Sequence, residues 1–304
     1  MRNSSGNDQG KVETRTLPHS NRRLFVGPTE EQPVAPAICV FCGDPLTGRR
    51  SKEHVFARWL MAHYDSHAKP FRIAWTSDAN DELLADREFA MGNLVAGRVC
   101  RDCNNGWMSD LEQDASASLL ELASKKRPLA TLDASERKTL ARWAAKTSFA
   151  ARSADMGPRL VSAAQAMSLV GGAMPAVHVA ARQAPLNLGL GWFATQRWLV
   201  SYPDDALAEA ARLVSTSHKT VLTIGRLLLS VCFWPDPQWP LVISRCSHSP
   251  LWPTHGTWLT YPQATDGHGA GPTAETEIVD MVIGTRIAHP ASQGEFVPVA
   301  ALSF

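Results

Sequence analysis

Apolar positions are sparse at the start of the chain and then fall into three kinds of spacing. The opening stretch MRNSSGNDQGKVETRTLPHSNRR is polar and rich in Ser, Asn, Gly and Arg, which predicts a mobile tail over residues 1–33. Ordered structure is expected from APAICVFCGDP, where an apolar run meets a turn. VFARWLMAHY places Val55, Trp59, Leu60 and Tyr64 at helical spacing and predicts a short amphipathic helix. FRIAWT (71–76) alternates as a strand does, and NLVAGRVC (93–100) reads as another. From Asn104 to about Lys125, the residues Leu111, Ala115, Leu119 and Leu122 repeat at helical intervals, and KKRP supplies cations and a proline stop. SDLE (109–112) has the form of a capping box, which would start the regular helix a little after Asn104.

The second half changes character. LDASERKTLARWAAKTSFAARSA (132–154) predicts a helix capped by Asp133, with Leu140, Trp143, Ala144 and Phe149 on its apolar face. Beyond about residue 175 the pattern becomes strand-like: GLGWFATQRWLVSY, KTVLTIGRLLLSVCFW, PLVISRC and EIVDMVIGTRIA are β-rich and separated by Pro, Gly and Asp turns. DDALAEAARLV (204–214) interrupts them as one short helix. The expected fold class is therefore α+β, with a first domain over 34–128 and a second over 129–304 built on a mainly antiparallel sheet.

Composition narrows the function classes. The chain has 304 residues, 44% hydrophobic, enough to bury a sizeable core. Net charge is +1, and acidic and basic residues balance in both halves, so bulk charge does not single out nucleic acid. The N-terminus lacks an apolar signal region and no stretch is long and apolar enough to span a membrane, so the expected compartment is the cytoplasm and no membrane partner is expected. Thiols stay reduced there, and paired cysteines are more often metal ligands than disulfides. Seven of the ten tryptophans follow residue 129, where most should be core. Cys232 and Cys246 read as small buried hydrophobes.

The remaining four cysteines form two C-x2-C pairs, Cys39 with Cys42 and Cys100 with Cys103. Each turn can aim two thiolates at one ion, and two such turns complete a closed tetrahedral site suited to Zn2+. The pairs are separated by 57 residues, so they would clamp the base of an inserted unit. A rival ligand set takes Cys39 and Cys42 with His63 and His67. Either set is structural, because four protein ligands leave no open position.

Between the pairs, SKEHVFARWL carries Glu53 directly before His54, and GNLV places Asn93 before a strand. Cys103 is followed at once by Asn104 and Asn105. The order C-x2-C, acidic-His, Asn-Leu-Val, C-x2-C-Asn resembles the zinc-supported branch of the HNH endonucleases, over Cys39 to about Asp110. The resemblance implies a ββα-metal unit in which Cys39, Cys42, Cys100 and Cys103 hold structural Zn2+. It implies His54 as the general base, Asn93 as the residue orienting that base, and Glu53 with Asn104 as ligands of a catalytic Mg2+ or Mn2+; Asn105 competes with Asn104 by a one-residue shift. Glu53 stands where many members have Asp, and Met108 stands where some have a third ligand. Arg49, Arg50, Lys52, Arg58, Arg98 and Arg101 supply local positive charge for phosphates. The implied activity is metal-dependent phosphodiester hydrolysis, in DNA first and in RNA as the other possibility, as nothing in these residues separates the two sugars. A non-catalytic zinc module that binds nucleic acid or protein is the alternative. The region after residue 129 is assigned target or partner recognition, a second copy of the chain included.

Overall fold

Two cysteine turns and a minimal strand pair open the fold. In the first turn Cys39 N–H donates to the Asp44 carbonyl, Gly43 N–H to the Cys39 carbonyl, and Ile38 bridges Pro45. The computed structural model describes residues 37–46, 51–76, 83–154, 162–196, 198–234, 239–244, 248–253, 258–261, 273–289 and 297–299. The tail expected over 1–33, Arg49, Arg50 and Cys246 lie outside them. Strand β1 (Glu53–His54) pairs antiparallel with β4 (Val95–Ala96), in the register Glu53 to Ala96 and His54 to Val95. Between them the chain makes α1 (Arg58–His63) and a hairpin of β2 (Pro70–Thr76) with β3 (Leu83–Ala90). A single turn, α2 (Arg101–Cys103), then leads through a wide turn over Asn104–Met108 into α3 (Ser109–Ala123). The order is strand, insertion, strand, helix.

SDLE is not a cap. The chain enters α3 already coiled, kinked at Gly106, and no side chain caps Met108 at the helix start. The capping box forms instead at α4 (Ala134–Ala154): Glu136 N–H donates to Asp133 Oδ1 at 2.8 Å, and Asp133 N–H donates to Glu136 Oε2 at 3.1 Å.

The strands after α5 (Ala163–Val170) build two sheets. They are β5 (Val177–Gln183), β6 (Leu190–Thr195), β7 (Trp198–Ser201), β8 (His218–Ile224), β9 (Leu227–Phe233), β10 (Leu241–Ser244), β11 (Ser249–Trp252), β12 (Trp258–Tyr261), β13 (Thr285–Ala288) and β14 (Val297–Val299). Two helices, α6 (Leu207–Ser215) and α7 (Ala274–Ile283), interrupt them. One sheet, ordered β11-β5-β9-β8-β6, is antiparallel throughout. The other, β12-β10-β13-β7-β14, includes two parallel pairs, β10 with β12 and β13 with β7. The fold is thus α+β with mainly antiparallel sheets. EIVDMVIGTRIA, expected as strand, is largely helix: Thr273 and Thr276 form a capping box, α7 runs to Ile283, and only Thr285–Ala288 is strand.

Every residue of β8 and β9 is buried because helices cover both faces. Leu222, Ile224, Leu227, Leu229, Val231 and Phe233 join the core around α4, while Val221 and Leu228 pack with Met281 of α7. The α4 core also contains Cys39, Phe41, Val99 and Cys103, so it runs without a break across the boundary expected at residue 128. The β8–β9 turn seats against α3: Arg226 N–H donates to the Ala123 carbonyl at 2.9 Å. Gly225 in that turn has φ +57°, and a Cβ there would lie 2.2 Å from Tyr64 Oη and 3.0 Å from the Ala123 carbonyl. Gly225→Ala is expected to cost about 1–3 kcal/mol, seen as a lower denaturant midpoint at unchanged slope. An unmoved midpoint would contradict that close approach.

Candidate metal centre and the adjoining His54 site

Cys39 Sγ lies 3.9 Å from Cys103 Sγ, and Cys42 Sγ lies 3.7 Å from Cys100 Sγ. All four sulfurs fall within 4.8 Å of one another. Sulfur–zinc bonds of about 2.3 Å in a tetrahedron place sulfurs about 3.8 Å apart, so the spacing fits Zn2+. It is far longer than the roughly 2.05 Å of a disulfide, and the four thiols are free. Backbone amides support the sulfurs: Cys100 N–H points to Cys39 Sγ at 3.4 Å and Cys103 N–H to Cys100 Sγ at 3.3 Å. Val40 N–H donates to the Arg98 carbonyl at 2.8 Å, tying the first turn to the second. Phe41 packs edge-on against Trp107 and Phe149, anchoring the turn in the α4 core. With four cysteines the centre can hold one ion and has no vacancy for a substrate. His63 and His67 are exposed and join no such cluster, so the four-cysteine set is the one the fold assembles among the described residues.

Between the two cysteine turns, Glu53 and His54 point to opposite sides of β1, one buried and one half-buried. Glu53 is buried, at 6% exposure. Its Oε1 lies 2.6 Å from Lys146 Nζ of α4, and the same ammonium lies 2.6 Å from Glu112 Oε1 of α3. The Lys146 side chain is wholly buried. Its burial favours the neutral amine, but the charges of Glu53 and Glu112 outweigh it and hold the amine above its ordinary pKa. Lys146 is therefore the charged centre of the triad at neutral pH.

His54 is half-buried, and its Nδ1 has no hydrogen-bond partner. Its ring meets that of His67 edge-on at 6.4 Å. Burial first, then the charges of Arg58, His67 and Lys52, lower its pKa below the ordinary value, while Glu112 pulls the other way. The imidazole is neutral near pH 7 and able to accept a proton.

The other sequence-singled residues are placed as follows. Asn93 is exposed at the end of a short turn before β4 and makes no hydrogen bond to His54 Nδ1. Asn104 is half-buried where α2 meets the wide turn, its N–H donating to the Cys100 carbonyl at 3.1 Å; Asn105 beside it is exposed. Lys52, Arg58, Arg98 and Arg101 are exposed.

A second, divalent cation on Glu53 and Asn104 does not fit this arrangement. Glu53 Oε1 already faces an ammonium, burial raises the Glu53 pKa against the pull of Lys146, and among the described residues no cluster of three carboxylate, imidazole or thiolate donors exists besides the four cysteines. Sequence reasoning missed Glu112, taken for a cap, and Lys146. The signal for Lys146 was there: it is the one charged residue in WAAKTSFAA, residues 143–151, a helix segment buried on every side. A cation so placed needs acidic partners from elsewhere in the fold. Comparison of the chain with known protein families, with curated proteins and with solved structures finds no match.

Proposed function

We propose that the chain is an HNH-type endonuclease that hydrolyses phosphodiester bonds, in DNA first, with Zn2+ as its structural ion and His54 as the general base. The observation that carries this reading is the position of His54: a half-buried imidazole, neutral near pH 7, on a strand pair braced by four converging sulfurs and followed by a helix. In this chemistry His54 takes a proton from water. The water oxygen forms a bond to phosphorus, the bond to the leaving oxygen breaks, and a proton is returned to that oxygen. Lys52, Arg58, Arg98 and Arg101 are exposed, and the charges of Arg58 and Lys52 reach His54, which suits a phosphate backbone. The family reading also calls for Mg2+ or Mn2+ on Glu53 and Asn104. The Glu53–Lys146 pair argues against that assignment, so no step is routed through such an ion.

The decisive experiment incubates plasmid DNA and structured RNA with wild type and His54→Ala, with and without Mg2+ or Mn2+. Loss of the base is expected to slow cleavage about 10²–10⁴-fold with zinc content intact. Equal cleavage by the two proteins, or none by wild type, removes the nuclease reading. The second reading, a non-catalytic zinc module binding nucleic acid or protein, draws support from the same Lys146 pairing, which sets a cation against Glu53 where the nuclease reading calls for a metal ion. It requires binding that His54→Ala leaves intact.

A further inference from the structure

We propose that Lys146 is the resident cation on the Glu53 side of β1: its ammonium fills the space between Glu53 and Glu112, fixes the two carboxylates, and closes the acidic pair to divalent metal ions.

The geometry is that of a bridge. One Nζ lies 2.6 Å from a carboxylate oxygen on each of two elements, donating a hydrogen bond to Glu112 Oε1 and pairing by charge with Glu53 Oε1. The three residues come from β1, α3 and α4, so the ammonium joins the strand of His54 to both long helices. Glu112 acts electrostatically on His54 as well as on Lys146. A bound divalent ion would have to replace the ammonium. Lys146 cannot swing aside to allow this, because α4 is buried at every position from Trp143 to Ala151 and the side chain has no solvent-facing exit. Displaced, the ammonium would remain buried without a partner, a far worse state than the bridge. The carboxylates are likewise ill-placed to open: Glu53 is on a strand of two residues pinned to β4.

Lys146 is thus a positioning residue. Its role is to hold the backbone that carries His54 and to keep local charge constant without an exchangeable metal. The inference rests on the nuclease reading only for its catalytic consequence, namely that His54-dependent cleavage proceeds without added divalent ion. The metal-exclusion claim stands independently.

The test reads metal binding directly. Zinc-loaded wild type is titrated with Mn2+ and followed by electron paramagnetic resonance, beside Glu53→Gln, Lys146→Met, Lys146→Arg and Lys146→Met/Glu53→Gln. Wild type and Lys146→Arg are expected to bind no Mn2+ at this site. Lys146→Met is expected to gain one equivalent, and the added Glu53→Gln to lose it again. A Mn2+ site in wild type that Glu53→Gln abolishes overturns the proposal, as does a folded Lys146→Met that gains nothing. If Lys146→Met does not fold, wild type alone decides the matter. The 15N resonance of the Lys146 ammonium should stay protected from exchange and unmoved by millimolar Mg2+, whereas displacement by the ion refutes the bridge. Cleavage that requires Mg2+ and Glu53 would defeat this proposal and leave the nuclease standing. Absent cleavage with Mn2+ still excluded would do the reverse.

Discussion

Replacing Cys103 with serine is expected to abolish the cooperative folding of the chain, not merely loosen the sulfur site. Cys39 and Cys103 are 1% and 3% exposed and belong to the same continuous core as α4 and β9. Between the cysteine pairs β1 and β4 are two residues each, and the buried side chains there, Phe56, Leu60, Met61 and Leu94 among them, pack into the same core as Cys39 and Cys103. A structural four-ligand zinc is associated with about 10–16 kcal/mol of binding free energy that appears as folding free energy. A whole domain is stable by only about 5–15 kcal/mol, so loss of the ion exceeds what the remaining contacts can supply. Cys103→Ser also leaves three thiols facing a hydroxyl that zinc binds poorly. The expected result is less than one zinc per chain by atomic absorption, together with a broadened or absent thermal transition. Chelation of the wild type should give the same melting behaviour, restored on adding zinc. A Cys103→Ser protein that melts at the wild-type temperature would show that the sulfurs are packing groups and not a metal centre.

What the sequence made legible is what local chemistry dictates. The four cysteines announce themselves by spacing, because a C-x2-C turn needs no distant partner to aim two sulfurs together. The helices at Leu111–Leu122 and Leu140–Phe149 follow from period, since each buries one stripe or more against a core. Asp133 worked as a cap because its partner Glu136 lies three residues away. Signals that depend on tertiary neighbours were misleading. SDLE has the composition of a cap, yet the coiled segment before it already occupies the helix start. EIVDMVIGTRIA is rich in β-branched residues, and only packing of Met281 on β8 and β9 selects the helix. The change of pattern near residue 129 looked like a domain boundary, whereas α4 buries one side against the cysteine turns and another against the sheet. At the site itself, Glu53 and His54 were visible as a dipeptide, but the partner that decides the state of Glu53 arrives from 93 residues further along. No local pattern encodes that pairing.

Acid should unfold the protein steeply, and three buried histidines outside the His54 site contribute to the slope. His178, His218 and His248 are all buried, and burial is the leading cause that lowers their pKa values to about 4, about 3 and about 4. His218, on β8, stacks on Phe233 at 4.1 Å, and neither ring nitrogen has a hydrogen-bond partner; the charge of Arg152 depresses it further. His248 feels Arg182 and Lys219 as well as burial. In the unfolded chain a histidine titrates near pH 6.5. Between that value and the lower folded one, the unfolded state binds more protons than the folded state, so stability falls as pH drops. Each such group contributes a slope of up to about 1.4 kcal/mol per pH unit, and three together about 4 kcal/mol per unit. Their contribution is complete above pH 6.5 and declines continuously below it. Thiolate protonation also releases zinc in acid, so the histidine part is isolated by comparison with His218→Phe, which keeps the aromatic stack and cannot titrate. Denaturant midpoints at pH 7, 6 and 5 should fall in both proteins, but less steeply in the variant, by about 1.4 kcal/mol per pH unit. Parallel losses in the two proteins would mean that His218 is solvated or already partnered in the fold, and that the acid sensitivity comes from the sulfur centre alone.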